Sequence, residues 1–502
     1  MKVFSSLVFN FIELSVYLFI FVLGLIFAGL ITIYLIDRFQ TQSTLRRNYP
    51  VLARFRYLFE HMGGFFRQYF FAQDREEMPF NRAERSWVYR AAKNVDSTVA
   101  FGSSRVITNP GTIFFVNCVF PTLAEDAVEA TEVTIGPYCQ NPYTTKSLFN
   151  ISGMSYGAIS IPAVLALSKG AKMAGIWMNT GEGGLSPYHL QGGADIVFQI
   201  GTAKFGVRKK QGGFDEEKLK EISAHKQIKM FEIKLSQGAK PGKGGILPGV
   251  KVNAEIAAIR GLEIGQDAIS PNRHPEIKNV DDLLDMVNYV REVTGKPVGF
   301  KMVVGSIEFF DVLFSAIIKR GIESAPDFIT IDSSDGGTGA APMSLIDNMG
   351  MPLKESLPMV VDKLISYELR ARIKVCASGK LINPSEATWA LCMGADFVNS
   401  ARGFMFALGC IQSLQCNKNT CPTGITTHNK KLQYGLNSED KAVRVMHYAD
   451  NMLKEIGVLA HSCGVAEPRL LNRSHARMVL DNGKSISMME LYPDPTNSFP
   501  VI

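Results

Sequence analysis

Cys410, Cys416 and Cys421 fall within GCIQSLQCNKNTCP, residues 409–422, as a Cys-x5-Cys-x4-Cys array ending in Cys-Pro. Three thiols so close along a chain are suited to hold a metal. A structural zinc site needs four tetrahedral ligands, often as two close cysteine pairs; here no fourth cysteine is near, and the next donor is His428. Iron–sulfur clusters are held by closely spaced cysteine thiolates, often with a proline after the last. The spacing favours a cluster over zinc, with free or buried inert thiols as the third possibility.

Other residues point to a bound anion. Two glycine turns, ASGK (Ser378, Gly379, Lys380) and NSARG (Ser400, Ala401, Arg402, Gly403), each carry a basic residue and expose backbone N–H groups that can bind phosphate. Lys234 and Lys301 end or interrupt apolar runs, where a lysine is costly to bury without an anionic partner. Positive charge at that place suits the N1 and C2 carbonyl edge of a flavin; pairing with a structural carboxylate such as Asp332 is the other reading. NTGEGG (Asn179 to Gly184, with Glu182) and DGGTGA (Asp335, Gly336, Gly337 to Ala340) each join a carboxylate to flexible backbone that can approach a ligand. Lys240 on a glycine-rich loop and Arg260 on a helical stretch form a possible clamp for a dicarboxylate or 2-oxo acid, or are isolated surface charges.

The elements that must carry these residues are legible beyond residue 147. Short apolar runs at 147–151, 175–179, 195–200, 228–234, 298–304, 328–332, 373–377 and 397–399 alternate with helical patterns, the mark of an α/β fold with parallel strands. Eight such runs predict a (β/α)8 TIM barrel, whose chemistry sits at the C-terminal strand ends. Ser152, Met154 and Ser155, Asn179, Lys234, Asp335, Ser378 and Ser400 all fall there.

With 502 residues the chain can bury a large core. Its 53 Lys and Arg against 47 Asp and Glu give no basic excess of the kind nucleic-acid binding uses. The eight cysteines are scattered apart from the array, which argues against a disulfide framework and for a reducing compartment. Near the N-terminus, Leu14 to Ile36 is an uncharged apolar run long enough to cross a bilayer, although a buried helix of a soluble fold has the same look. Arg38, Arg46, Arg47, Arg54 and Arg56 follow it, so the positive-inside rule predicts a single-pass protein of the cytoplasmic membrane with the remainder facing the cytoplasm. The expected division is an anchor (1–37), an aromatic and arginine-rich juxtamembrane region (38–145), the barrel with its cysteine loop (146–440) and a C-terminal helical extension (441–502).

Taken in order, residues 152–160, NTGEGG, EIKLSQGAKPGKGGILPG, DGGTGAAP and GC-x5-C-x4-CPTG resemble the FMN-binding synthase domain of glutamate synthase over about residues 146–430. The whole chain is similar to the short, membrane-anchored glutamate-synthase-related proteins that lack a glutaminase domain. The resemblance implies an FMN contacted by Ser152, Met154, Ser155, Asn179, Lys234, Lys301, Asp335, Gly336 and Gly337. Its phosphate would be held by Ser378, Gly379, Lys380, Ser400, Ala401, Arg402 and Gly403. It also implies a [3Fe-4S] cluster on Cys410, Cys416 and Cys421 that passes electrons to the flavin for reduction of 2-iminoglutarate. Lys240 and Arg260 would bind the substrate carboxylates, Lys240 would also donate a proton, and Glu182 would lie near ammonia entry.

Departures bear on the substrate. The chain begins MetLysValPhe, without the cysteine nucleophile of a glutaminase, so glutamine hydrolysis is not expected. The family's glutamine in GGQLPG is Ile246, its GHDGG is SSDGG (333–337), its Cys-His is Cys416-Asn417, and the glutamine after its last cysteine is His428. Losing a hydrogen-bonding amide can change substrate preference. The reading is reductive amination of a 2-oxo acid, by default 2-oxoglutarate with ammonia or an amine. Electrons would come from a ferredoxin, a partner subunit or quinone. The alternatives are a related flavin reaction such as N-methylglutamate synthesis, or a non-catalytic electron-transfer subunit.

Overall fold

The computed structural model describes residues 2–96, 98–209 and 212–495. The chain divides into two compact units, Met1–Ala83 and Glu84–Ile502.

In the second unit eight parallel strands close into a barrel in chain order. They are Phe149–Ile151, Trp177–Asn179, Asp195–Ile200, Ile228–Lys234, Val298–Val303, Phe328–Asp332, Lys374–Ser378 and Phe397–Ser400. Each of the eight runs expected from the sequence holds one strand, and the eighth pairs with the first through Val398 and Phe149. Alternate residues on a strand share a face, and the inward faces change character from bottom to top. Met230, Phe328, Cys376 and Phe397 lie in an apolar cluster at the N-terminal end. Two and four residues further on stand Glu232 and Lys234, Thr330 and Asp332, Ser378 and Asn399, all buried. The strands thus carry polar groups up toward the catalytic face while an apolar plug seals the other end.

That plug explains where the barrel unit begins. An antiparallel hairpin, Val133–Ile135 with Tyr143–Thr145, inserts Ile135 and Tyr143 into the cluster. Tyr143 donates to Asp195 at 2.9 Å. Strand Ile113–Phe115 pairs with Ala476–Val479, which pairs with Ser485–Ser487. Residues 84–145 are therefore part of the barrel unit rather than a separate juxtamembrane region.

The helical ring also closes later than residue 440. Helix Ser438–Ser462 packs against helices Ile161–Ala174 and Pro384–Cys392, the helices after the first and seventh strands. It is the eighth barrel helix, displaced along the chain because the cysteine loop is inserted between it and its strand. The segment 441–502 is consequently not a helical extension; it completes the barrel and then forms the two C-terminal strands. The contact with Ile161–Ala174 is close at Gly170, where a Cβ would stand 2.5 Å from Val445 and 2.7 Å from the Ala442 carbonyl. Helix propensity favours alanine there by about 1 kcal/mol, but backbone cannot yield to that overlap. Gly170→Ala is expected to lower unfolding free energy by about 1–3 kcal/mol in urea titration.

The first unit contains a helix, Lys2–Phe39, and the most apolar stretch within its Val8–Phe39 portion has mean hydropathy 2.7 and no buried residue. It is long and apolar enough to cross a membrane, and its exposure sets aside the core-helix reading. A short helix, Thr44–Asn48, and a longer one, Leu52–Phe66, follow.

Candidate functional site

Two adjoining cavities open at the C-terminal ends of the strands and share Gly153, Gln199, Lys234, Gln237, Gly337, Ala401 and Arg402. The outer encloses about 1000 Å³ and the inner about 540 Å³, open solvent included. Ser152, Lys301, Ser378, Gly379, Lys380 and Ser400 line the inner cavity. Met154, Ser155, Glu182, Lys240, Arg260 and Cys416 line the outer one, with Ile246. The residues singled out in sequence for flavin and substrate therefore converge, with four exceptions, and of the three cysteines only Cys416 reaches a cavity. Asp335 and Gly336 stand outside both cavities, Asp335 paired with Lys380 at 2.9 Å. Gly403 is needed for packing, since a Cβ would strike the Tyr448 hydroxyl. Asn179 lies below, donating to Glu232 at 2.8 Å and accepting from the Gly181 N–H at 2.9 Å.

Lys301 settles against the carboxylate named as its alternative partner, 3.2 Å from Asp332, yet it also lines the inner cavity. Burial disfavours its ammonium, but Asp332 and Glu232 outweigh that and hold its pKa above the usual lysine value. Asp332 additionally accepts from the Gly238 N–H at 2.8 Å, tying the glycine-rich insert to the sixth strand. Lys234 reaches Glu182 at 2.8 Å and also bonds Gln237.

Glu182 lies in a glycine cradle. A Cβ on Gly201 would approach its Cβ to 2.5 Å, and one on Gly245 would reach its carboxylate at 2.1 Å. Burial alone would raise its pKa, but Lys234 first, then Lys240 and Arg260, hold it below the ordinary glutamate value. The charge is thus kept on the carboxylate. Lys240 donates to the Ala340 carbonyl at 2.9 Å; burial, aided by Lys234 and opposed by Glu182, lowers its pKa to about 8. Arg260 donates to Tyr156 O at 3.0 Å and Ser155 Oγ at 3.4 Å. Burial brings it down to about 10.

The three cysteines share one loop beside the outer cavity, and each sulfur has a polar neighbour. The Gln412 N–H donates to Cys410 at 3.4 Å, Arg402 to Cys416 at 3.8 Å, and Cys421 lies 3.4 Å from the Thr423 hydroxyl. Among the described residues no three His, Cys, Asp or Glu side chains are grouped as ligands of a single metal ion. His428 is engaged elsewhere, its Nε2 donating to the Gly157 carbonyl at 2.8 Å.

Several supporting residues escaped the sequence reading. Glu232 accepts from Asn179, Gln199 and Thr330 beneath the cavities; its signal was a carboxylate two residues before Lys234, on the same inward face. Lys251, 2% exposed, donates to the carbonyls of Cys416, Thr426 and Ala158. The aromatic segment around Trp87 braces the same loop: Tyr89 donates to Cys410 O at 2.6 Å, and Trp87 meets Tyr448 edge-on.

A closed parallel barrel with cation-lined cavities at its C-terminal face is the architecture of a (β/α)8 enzyme. Residues 116–466 match the family model described as the conserved region in glutamate synthase. The chain is 40% identical to the glutamate synthase large subunit-like protein YerD of Bacillus subtilis, over 94% of this chain and 97% of that one. It is 37% identical to the archaeal glutamate synthase [NADPH] of Methanocaldococcus jannaschii, over 68% of this chain and 64% of that one. The chain belongs to the glutamate synthase family, and it is an oxidoreductase of that kind.

Proposed function

We propose that the protein is an FMN- and [3Fe-4S]-dependent enzyme that reductively aminates a dicarboxylic 2-oxo acid, with 2-oxoglutarate and ammonia as first substrates. The observation that carries this reading is the charge of the outer cavity. Lys234, Lys240, Lys251, Arg260 and Arg402 line it against the single carboxylate Glu182, and that cationic excess suits a ligand with two negative charges. The balanced reaction takes a 2-oxo acid, ammonia, two electrons and two protons to an amino acid and water.

The inner cavity suits FMN. Gly379 and Lys380 turn through left-handed backbone, φ 124° and 53°, which opens the Ser378–Lys380 turn toward a phosphate together with the start of the helix at Arg402. Asn399, whose buried Oδ1 has no hydrogen-bond partner among the described residues, lines this cavity and suits a ribityl hydroxyl. Cys410, Cys416 and Cys421, each with a polar neighbour, suit the cluster. When bound, FMN supplies hydride chemistry and the cluster relays single electrons.

Arg260 and Lys240 grip the substrate carboxylates, and Lys240 also gives a proton at the reacting centre. Glu182, kept ionised, is too weak a base to deprotonate ammonium; it attracts and orients it. Lys301 and Lys234 place positive charge beside the flavin pocket. Electrons enter from a ferredoxin, a partner subunit or quinone, and the arginines after the apolar helix orient the barrel toward the cytoplasm.

The test is to purify the protein with its flavin and to assay glutamate formation from 2-oxoglutarate and ammonium with a reduced donor; bound FMN without turnover on any 2-oxo acid would remove the reaction. Because Lys240 must carry its proton, kcat/KM is expected to fall as pH rises through about 8. Lys240→Arg should move that alkaline limb upward.

Ile246 favours a second reading. It stands 42% exposed on the wall of the outer cavity, which Leu247 and Met405 also line, and an apolar side chain there suits an alkylated amine. In that reading methylamine replaces ammonia and N-methylglutamate is the product. Ile246→Gln is then expected to shift the ratio of kcat/KM for ammonium over methylamine upward by about tenfold, the scale of one methyl-group contact.

A further inference from the structure

Helix Leu52–Phe66 of the N-terminal unit exposes an apolar stripe that none of the described residues of the unit covers. Leu52–Phe66 continues as a single wide turn through Arg67–Phe71. At 3.6 residues per turn, Phe55, Leu58, Phe59, Met62, Phe65 and Phe66 fall on one side. Phe59 is 63% exposed and Phe65 57%. The stripe runs on as contacting rings, Phe65 with Tyr69 at 4.8 Å and Phe66 with Phe70 at 5.6 Å.

The start of the helix, at the edge of the stripe, is tied to the membrane-crossing candidate. Arg54 grips Asp37 with two bonds of 2.8 Å, the Val51 N–H adds a third at 3.2 Å, and Asp37 is fully buried. This bidentate pair fixes the angle between Leu52–Phe66 and Lys2–Phe39, because a guanidinium fork admits one planar arrangement with a carboxylate. One short unit therefore presents two uncovered apolar surfaces joined by a rigid elbow.

We propose that Leu52–Phe71 lies in the headgroup layer of the same bilayer that Val8–Phe39 crosses, its phenylalanine stripe in the acyl boundary and its arginines among acidic lipid headgroups. The inference rests on the membrane reading of the first helix. Charge selects the bilayer over a second copy of the chain. Between residues 38 and 67 six arginines accompany a single acid, Glu60; pairing two copies would set like charges together, whereas anionic lipid attracts them. Composition agrees, since aromatic rings with flanking arginines are what an interfacial helix requires.

Depth-resolved quenching of the full-length flavoprotein in phosphatidylglycerol-containing nanodiscs tests this. Three variants, Phe59→Trp on the stripe, Glu60→Trp opposite it and Leu25→Trp in the first helix, are compared with the parent protein, whose own tryptophans set the background. Lipids brominated near the headgroup are expected to quench Phe59→Trp about twofold more than Glu60→Trp, and lipids brominated near the chain end to quench Leu25→Trp most. Equal quenching at positions 59 and 60 with strong quenching at 25 would overturn the interfacial helix and leave the span intact. Absence of quenching at 25 would remove the span itself, and the proposal with it. Loss of headgroup-level quenching in an Asp37→Ala version of the Phe59→Trp protein is the further result expected if the elbow sets the helix angle; unchanged quenching there would exclude the elbow.

Discussion

Lys240→Met is expected to lower kcat/KM for the 2-oxo acid on the order of 10⁴-fold, the largest loss from any single side chain of the outer cavity. Two effects combine. A charge-assisted bond to a carboxylate contributes about 1.5–3 kcal/mol, worth roughly ten- to a hundredfold in KM. General acid catalysis adds about 10²–10⁴ in kcat. Methionine keeps the apolar stem, so the protein should fold and retain flavin; the Ala340 carbonyl that Lys240 now binds sits at the cavity edge where water can replace the ammonium. Arg260→Met is the comparison. Arg260 is buried and bonded to Tyr156 O, and its part is binding alone, so KM should rise about thirty- to a hundredfold with kcat nearly unchanged. Steady-state kinetics with saturating reduced donor separates the two. A Lys240→Met enzyme with altered KM and intact kcat would leave carboxylate binding and withdraw the proton-donor role.

The contrast between these residues shows what sequence could and could not carry. The barrel was legible because each strand repeats a local pattern, an apolar run closed by a polar or glycine-rich end. Lys234, Lys240, Glu182 and Arg260 were legible as a set through the order of their motifs. Their division of labour was not. That Lys234 neutralises Glu182, while Lys240 faces mainly burial, depends on which side chains the closed barrel and its insert bring within 3 Å, a fact no spacing along the chain contains. The same holds for Lys301, equally suited in sequence to a flavin and to Asp332, and placed by the fold against Asp332 on the wall of the inner cavity. Asp335 and Gly336 belong to a convincing motif, yet the turn aims Asp335 at Lys380. Helix Ser438–Ser462 was misjudged because the cysteine loop separates it from its strand by almost forty residues, far beyond a common barrel connection.

Lys251 was missed for a related reason: a lysine two residues after a Pro-Gly turn reads as solvent-exposed. In the structure it is buried without a carboxylate partner, and its ammonium gathers three carbonyls, Cys416 at 2.7 Å, Thr426 at 2.6 Å and Ala158 at 3.3 Å. These belong to the middle and the end of the cysteine loop and to the loop after the first strand. One side chain next to the glycine-rich insert thus pins the cysteine loop, and it is Cys416 that lines the outer cavity. Burying a lone ammonium is expensive, so the arrangement is expected where a compensating negative charge is brought nearby, as a thiolate-held cluster would do. Lys251→Met removes the charge and leaves three buried acceptors unsatisfied, at about 1–3 kcal/mol each, offset in part by relief of the buried cation. The barrel, sealed at its far end by Tyr143 and Trp177, should keep its fold and its flavin. Iron per chain is expected to fall to roughly a tenth, the equilibrium factor of about 1.4 kcal/mol, while alkylation of Cys416 speeds up. Lys251→Arg, which keeps charge and donors, should restore part of the iron. Full iron content and unchanged alkylation in Lys251→Met would show that the loop is held by Tyr89 and its own hydrogen bonds, and that the buried ammonium serves the insert alone.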